Sequence, residues 1–261
     1  RLRFRAFNIN QIIYNSPLPY FFMSKSQLLQ SLKQKGFSEE ILNAFKKVPR
    51  EKFIPQQLKS HAYEDTALSL GVHGATISQP YTIAQMLVLL ELNLKKRQKV
   101  LEVGSGCGYV LALLSEMLNK DSEIFGIEIV KELAEKSIST LNKLGYKNIK
   151  IYHKNGFKGL EEEDATLVGG REKSRPSALR GESTRETGGS LVFDRILISA
   201  ACDKIPEALK MQLENRGILV APLSDEYNEQ TLISIYREDK KFIVKEEIPG
   251  FIFVPLVDDT L

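Results

Sequence analysis

One stretch limits the possible folds more than any other: KVLEVGSGCGY, a short apolar run that enters Gly104-Ser105-Gly106-Cys107-Gly108 and leaves into a segment of helical period. Glycines this dense between a strand and a helix allow a tight turn and let backbone approach a bound ligand. The alternation then repeats. EIFGIEI, IKIYHK and FDRILISA read as further strands, and YVLALLSEML, VKELAEKSISTLNKLG and KIPEALKMQLE as helices between and after them. Such repeats specify an α/β fold with a doubly wound, mostly parallel sheet, because each right-handed crossover packs a helix back on the sheet. Beyond GILVAPLS the pattern changes to TLISIYRE and KFIVKEEIP around a polar turn, so antiparallel edge strands are expected. Ahead of the repeat, SKSQLLQSLKQKG and SEEILNAFKKV predict two short N-terminal helices, the second capped by Ser38, and YTIAQMLVLLEL predicts a third.

Two segments do not share this patterning. Residues 1–22 carry arginines and aromatics but no acid, and Met23 then opens an amphipathic helix pattern. They read as an extension outside the folded unit; a transit peptide is the alternative, although serine is scarce. In DATLVGGREKSRPSALRGESTRETGGSLV, residues 164–192, glycine, serine, threonine and mixed charge displace every hydrophobic period. Unstructured loops beyond about 12–15 residues are uncommon in compact domains, so this stretch reads as a mobile surface insertion. The expected organisation is one domain over residues 23–261, interrupted at about 164–192.

Composition removes several function classes. With 36 basic and 33 acidic residues the net charge is only +3, which gives no electrostatic footprint for nucleic acid. No apolar run approaches the roughly 20 residues that span a bilayer, so a soluble, non-membrane protein is expected. Cys107 and Cys202 show no pairing by spacing, which fits a reducing, cytoplasmic setting. His61, His73 and His153 are scattered and short of acidic neighbours, so no metal site is expected.

The glycine loop has the spacing GxGxG, because Tyr109 stands where a dinucleotide fingerprint needs its last glycine. That favours S-adenosylmethionine over NAD. Glu128 ends the second strand, 20 residues after Gly108, where a carboxylate can accept hydrogen bonds from both ribose hydroxyls of an adenosyl ligand. The same carboxylate could instead cap the helix that starts near Val130. Thr76-Ile77-Ser78-Gln79-Pro80 contains no base, metal ligand or nucleophile pair, and by itself reads as a capped helix start.

AYEDTALSLGVHGATISQPYTIAQMLVLL followed by KVLEVGSGCGY resembles the signature region of the protein-L-isoaspartate O-methyltransferases. KKVPREKFIP, FDRILISAACDKIPEALKMQL and FVPL are also similar to that family. The resemblance runs from Met23 to Leu256 apart from the insertion. It implies a Rossmann-like methyltransferase in which Ser78 is the active-site residue and Thr76, Ile77 and Ser78 itself flank the methyl donor. It maps the cofactor loop onto Gly104, Ser105, Gly106, Cys107 and Gly108, and the ribose-binding acid onto Glu128 with Ile129 beside it. The family's Gly-Asp-Gly falls on Lys154-Asn155-Gly156, where two of three residues depart. Asparagine can still bond an adenine amino group through its carbonyl, but without charge.

The implied reaction moves the methyl of S-adenosylmethionine to the free α-carboxylate of an isoaspartyl residue in a damaged protein, leaving S-adenosylhomocysteine. Such a carboxylate, with a reference pKa of about 4, is already ionised at neutral pH and needs no general base. The enzyme therefore mainly positions the reactants. The resemblance further implies damaged proteins or peptides as partners, bound through main-chain hydrogen bonds in a groove for which FIFVPL is a candidate wall or, equally, a plain buried strand. A monomer is the favoured state. The rival readings are a methyltransferase of similar fold with another substrate, and a protein that binds cofactor or isoaspartyl peptide without turnover.

One prediction follows for the insertion. Deleting residues 166–191 should leave the melting temperature and the KM for S-adenosylmethionine nearly unchanged, since loop-closure cost rises only about 0.6 kcal/mol per doubling of length. A large rise in that KM with the melting temperature preserved would make the loop a functional lid.

Overall fold

The computed structural model describes residues 22–161 and 191–258. The expectations for residues 1–21, and for nearly all of the insertion, lie outside the described residues. Among the described residues two helices come first, α1 (Lys25–Gln34) and α2 (Glu39–Lys47), followed by two 3-10 turns. Ser24 caps α1 in a reciprocal box with Gln27, whereas the Ser38 hydroxyl makes no cap bond to α2. The acids in the first turn of α2, Glu39 and Glu40, complement its dipole instead.

A two-stranded antiparallel ladder, β1 (Leu68–Ser69) with β2 (Thr76–Ile77), precedes α3 (Pro80–Leu89). The TISQP segment is therefore part strand and part helix entry. The cap expected there is supplied from a distance: the Tyr81 N–H donates to Asp65 Oδ1 at 2.8 Å, and Pro80 occupies the first turn.

The repeat follows as β3 (Lys99–Val103), α4 (Tyr109–Met117), β4 (Glu123–Glu128), α5 (Lys131–Lys143) and β5 (Ile149–His153). Next come β6 (Phe193–Ile198), α6 (Glu207–Met211), β7 (Leu213–Ser224), β8 (Gln230–Glu238) and β9 (Lys241–Phe251). Seven strands form one sheet in the order β5-β4-β3-β6-β7-β8-β9. The first five are parallel, and β8 and β9 join antiparallel at one edge, as the patterning predicted.

Alternation along the parallel strands separates two apolar clusters. Val100, Ile124 and Ile151 join residues of α1 to α5, while Leu101, Phe125 and Ile196 join Leu209 of α6. Both faces are thus covered, which a parallel sheet requires.

Two expected elements end early. The helix predicted over residues 204–214 stops at Met211, because the Gln212 side chain turns to the Leu160 backbone, accepting its N–H at 3.0 Å and donating to its carbonyl at 2.6 Å. Leu213 then enters the sheet opposite Phe193. The FIFVPL segment is not a continuous strand: β9 ends at Phe251, Ile252 is 94 % exposed, and the Gln230 side chain bonds both the N–H and the carbonyl of Phe253.

Candidate active site

The chain builds β3, β4 and β5 outward in one direction and then returns to place β6 on the other side of β3. A crevice opens where the strand order reverses, at the carboxyl ends of β3 and β6. Val103 and Ile198 are the last paired residues there, and the Ser199 N–H donates to the Val103 carbonyl at 2.8 Å. The glycine loop folds over the neighbouring strand end. The N–H groups of Gly104 and Ser105 both donate to the Ile127 carbonyl, at 2.9 and 3.0 Å. Gly106 sits at φ +52°, a left-handed conformation that glycine adopts without strain.

Glu128 closes this loop. Its Oε2 accepts the Gly106 N–H at 2.6 Å and its Oε1 accepts the Val130 N–H at 2.9 Å. Its side chain therefore braces the loop and the entry to α5 at once. Burial raises its pKa, while the backbone donors at Val130 and Gly106 pull the other way. On the far side, Gly156 is obligatory for a different reason, since a Cβ there would collide with Val103 Cγ1.

Two clefts flank the switch point. The first, of about 270 Å³, is walled by the glycine loop, the end of β4, Lys154, Gly156 and residues 254–257. The second, of about 540 Å³, lies between α3 and residues 248–254, and among the described residues none of its lining side chains is charged. A small hollow of about 30 Å³ lies between them, reaching Glu102 of β3. Thr76 and Ser199 line all three spaces and Val254 lines both clefts, so the clefts adjoin at these residues.

The family model for protein-L-isoaspartate(D-aspartate) O-methyltransferase matches residues 23–193 and 190–261. The chain belongs to this family. Among its relatives, a protein-L-isoaspartate O-methyltransferase of Dictyoglomus thermophilum is 38% identical, with 91% of this chain and 93% of that one aligned. One from Ignicoccus hospitalis is 35% identical over 90% of this chain and 98% of its own length. A solved Plasmodium falciparum structure bearing the same family name, in complex with S-adenosyl-L-homocysteine, is 29% identical. It superposes with a TM-score of 0.70 over 90% of this chain and 98% of that one.

Within this protein-L-isoaspartate O-methyltransferase family chain, the residues singled out by sequence divide among the three spaces. Thr76, Gly104, Gly106, Glu128, Ile129 and Gly156 line the first cleft. Ser78 lines the second cleft and the hollow but not the first. Ile77, Ser105 and Cys107 line the hollow alone of the three, and burial pushes the Cys107 thiol up to about 11, so it stays neutral. Gly108 and Asn155 line none of the three spaces. Gly108 serves the loop, its N–H donating to the Ser105 carbonyl at 2.8 Å. Asn155 accepts the Phe157 N–H at 2.9 Å and turns its amide toward Asp258.

Sequence reasoning missed Ser199 and Glu102. FDRILISA reads as a further strand of the parallel sheet, so the rule that ligands bind at strand carboxyl ends could have found Ser199. The three histidines stay apart, His61 beside Glu64, His73 on the first cleft and His153 on the Ile129 carbonyl. Among the described residues no group of three or more His, Cys, Asp or Glu could hold a metal ion. No described helix is long and apolar enough to cross a membrane.

Proposed function

We propose that the first cleft binds S-adenosylmethionine, that the second receives an isoaspartyl segment of a damaged protein, and that the chain transfers the methyl group between them. The observation that carries this reading is the meeting of the two clefts at Thr76, Ser199 and Val254. The first cleft fits the donor: a glycine loop brings backbone close, and a buried acid stands at the strand end where a ribose would lie. When bound, the donor supplies a sulfonium methyl to which a carboxylate oxygen bonds as the carbon–sulfur bond breaks, its electron pair remaining on sulfur.

The chain's own residues position and shield. Gly104 and Gly106 give the donor backbone contact, with Ser105, Cys107 and Gly108 shaping the turn beneath. Glu128 braces the loop and offers its remaining lone pairs to the ribose, beside Ile129. Thr76 and Ile77 hold the boundary between the clefts, and Ser78 orients the acceptor carboxylate. Gly156 and the backbone near Asn155 wall the adenine end; the Asn155 carbonyl is already bonded to Phe157, so the backbone is the readier partner there. The uncharged second cleft suits an extended peptide of varied sequence, whose main chain can bond to residues 248–254.

On the same reading the protein acts as a monomer in the cytoplasm on proteins, without nucleic acid or membrane. Two cysteines buried and unpaired suit a reducing compartment. The test is release of S-adenosylhomocysteine with an isoaspartyl peptide against its normal aspartyl twin. Release with the isoaspartyl peptide alone is expected. Equal release with both points to another substrate class, and binding without release to a protein that does not turn over.

A further inference from the structure

Of the two hydroxyls where the clefts meet, Ser199 is tied to a buried acid. Its Oγ lies 2.7 Å from Oε1 of Glu102. Glu102 is 1 % exposed, paired with Leu197 across β3 and β6, and its Oε2 is buried with no partner among the described residues. Glu102 lines the hollow which Thr76, Ser78 and Ser199 also line. An ionised carboxylate with one oxygen unsatisfied is costly in such a place, so the neutral acid is the cheaper form. Burial pushes the Glu102 carboxyl up to about 8; a hydrogen bond donated by Ser199 to the ionised form opposes this, and the charge of Glu128 adds to it. The other titratable group coupled to it, the Cys107 thiol, is neutral.

Where the proton sits decides what Ser199 can do. A buried donor left unbonded costs more than a buried acceptor with a spare lone pair, so the acid proton belongs on Oε1, donated to Ser199 Oγ. The Ser199 O–H is then free to donate toward the junction of the clefts. Ionised Glu102 would instead draw that O–H to itself and place a negative charge beside the reacting carboxylate.

We propose that Ser199 is a second hydroxyl that binds the methyl-accepting carboxylate, opposite Ser78, and that Glu102 is the positioning residue that aims it. This rests on the reading that the second cleft receives that carboxylate. A group whose pKa is raised is neutral below that value, so this arrangement is intact at neutral pH and is lost as pH rises through about 8.

The experiment compares wild type with Ser199→Ala, Ser199→Thr and Glu102→Gln. It measures kcat/KM on the isoaspartyl peptide across pH, melting temperature, and calorimetric Kd for S-adenosylmethionine and for peptide with S-adenosylhomocysteine present. Ser199→Ala should lower kcat/KM about tenfold, mainly through peptide KM and Kd, with the S-adenosylmethionine Kd within about twofold. Ser199→Thr, which restores the hydroxyl, should recover most of that loss. Glu102→Gln should abolish the decline of kcat/KM near pH 8 that wild type shows. An active wild type with Ser199→Ala unaffected overturns this inference alone, as does an equal loss of donor and peptide affinity. A decline near pH 8 that persists in Glu102→Gln overturns the role of Glu102 even if Ser199→Ala melts early. A wild type that does not distinguish isoaspartyl from aspartyl peptide overturns the parent reading and this one together.

Discussion

Replacing Glu128 by alanine is expected to weaken S-adenosylmethionine binding about 10- to 100-fold, roughly 1.4–2.8 kcal/mol, and to lower the melting temperature at the same time. The two losses have one cause. The carboxylate accepts the N–H of Gly106 at 2.6 Å and of Val130 at 2.9 Å, so alanine strands two backbone donors, one of them in the turn that walls the first cleft. Hydrogen bonds to a charged group contribute about 1.5–3 kcal/mol each, and those to the loop act on the donor only through geometry. Glutamine should fall between wild type and alanine: one oxygen is kept, but its amide nitrogen faces a backbone N–H and cannot accept from it. Calorimetric Kd and thermal melts on both variants check this. A lower melting temperature with an unchanged Kd would confine Glu128 to bracing, and no change in either would remove it from the site.

That double role marks how far the sequence could be read. The placement of Glu128 at a strand end follows from EIFGIEI being a short apolar run, and such runs are legible because both faces of a parallel strand are buried. The division of its two oxygens depends on how the loop at Gly106 folds back, which no local period encodes. The same limit hid Glu102. In KVLEV a lone acid among apolar neighbours resembles an outward-facing strand residue, yet pairing of β3 with both β4 and β6 buries it. Its partner Ser199 is almost a hundred residues away, brought close only by the crossover. Asp65 capping α3 is another long-range solution to a local need, and so is Gln212, which ends α6 to satisfy Leu160. The sheet and its edge strands were legible from pattern, and the polar contacts that finish the site arise from register and return.

Ser78→Ala is expected to lower kcat/KM on the isoaspartyl peptide about 100-fold, close to 2.7 kcal/mol, while the S-adenosylmethionine Kd stays within about twofold. The split follows from where Ser78 lies. It lines the second cleft and the hollow at the junction, but not the first cleft, so its loss should touch the acceptor and not the donor. Its hydroxyl has no hydrogen-bond partner among the described residues. A structural cap would commit the serine oxygen to accepting a backbone N–H, whereas here the α3 entry is capped by Asp65. Two residues ahead of Pro80, it also stands near the amino end of α3, whose dipole favours an anion by about 0.3–1 kcal/mol. Alanine keeps that dipole and loses only the directed hydrogen bond. The carboxylate would then bind in more than one orientation, and fewer bound peptides would present an oxygen in line with the methyl. A kcat loss should therefore exceed the rise in peptide KM, and this separates Ser78 from Ser199, whose alanine variant should act mainly on KM. Steady-state kinetics with calorimetry on Ser78→Ala decides it: equal loss of donor affinity and turnover would make Ser78 a wall of the donor cleft, and an unchanged kcat would leave the acceptor to Ser199 alone.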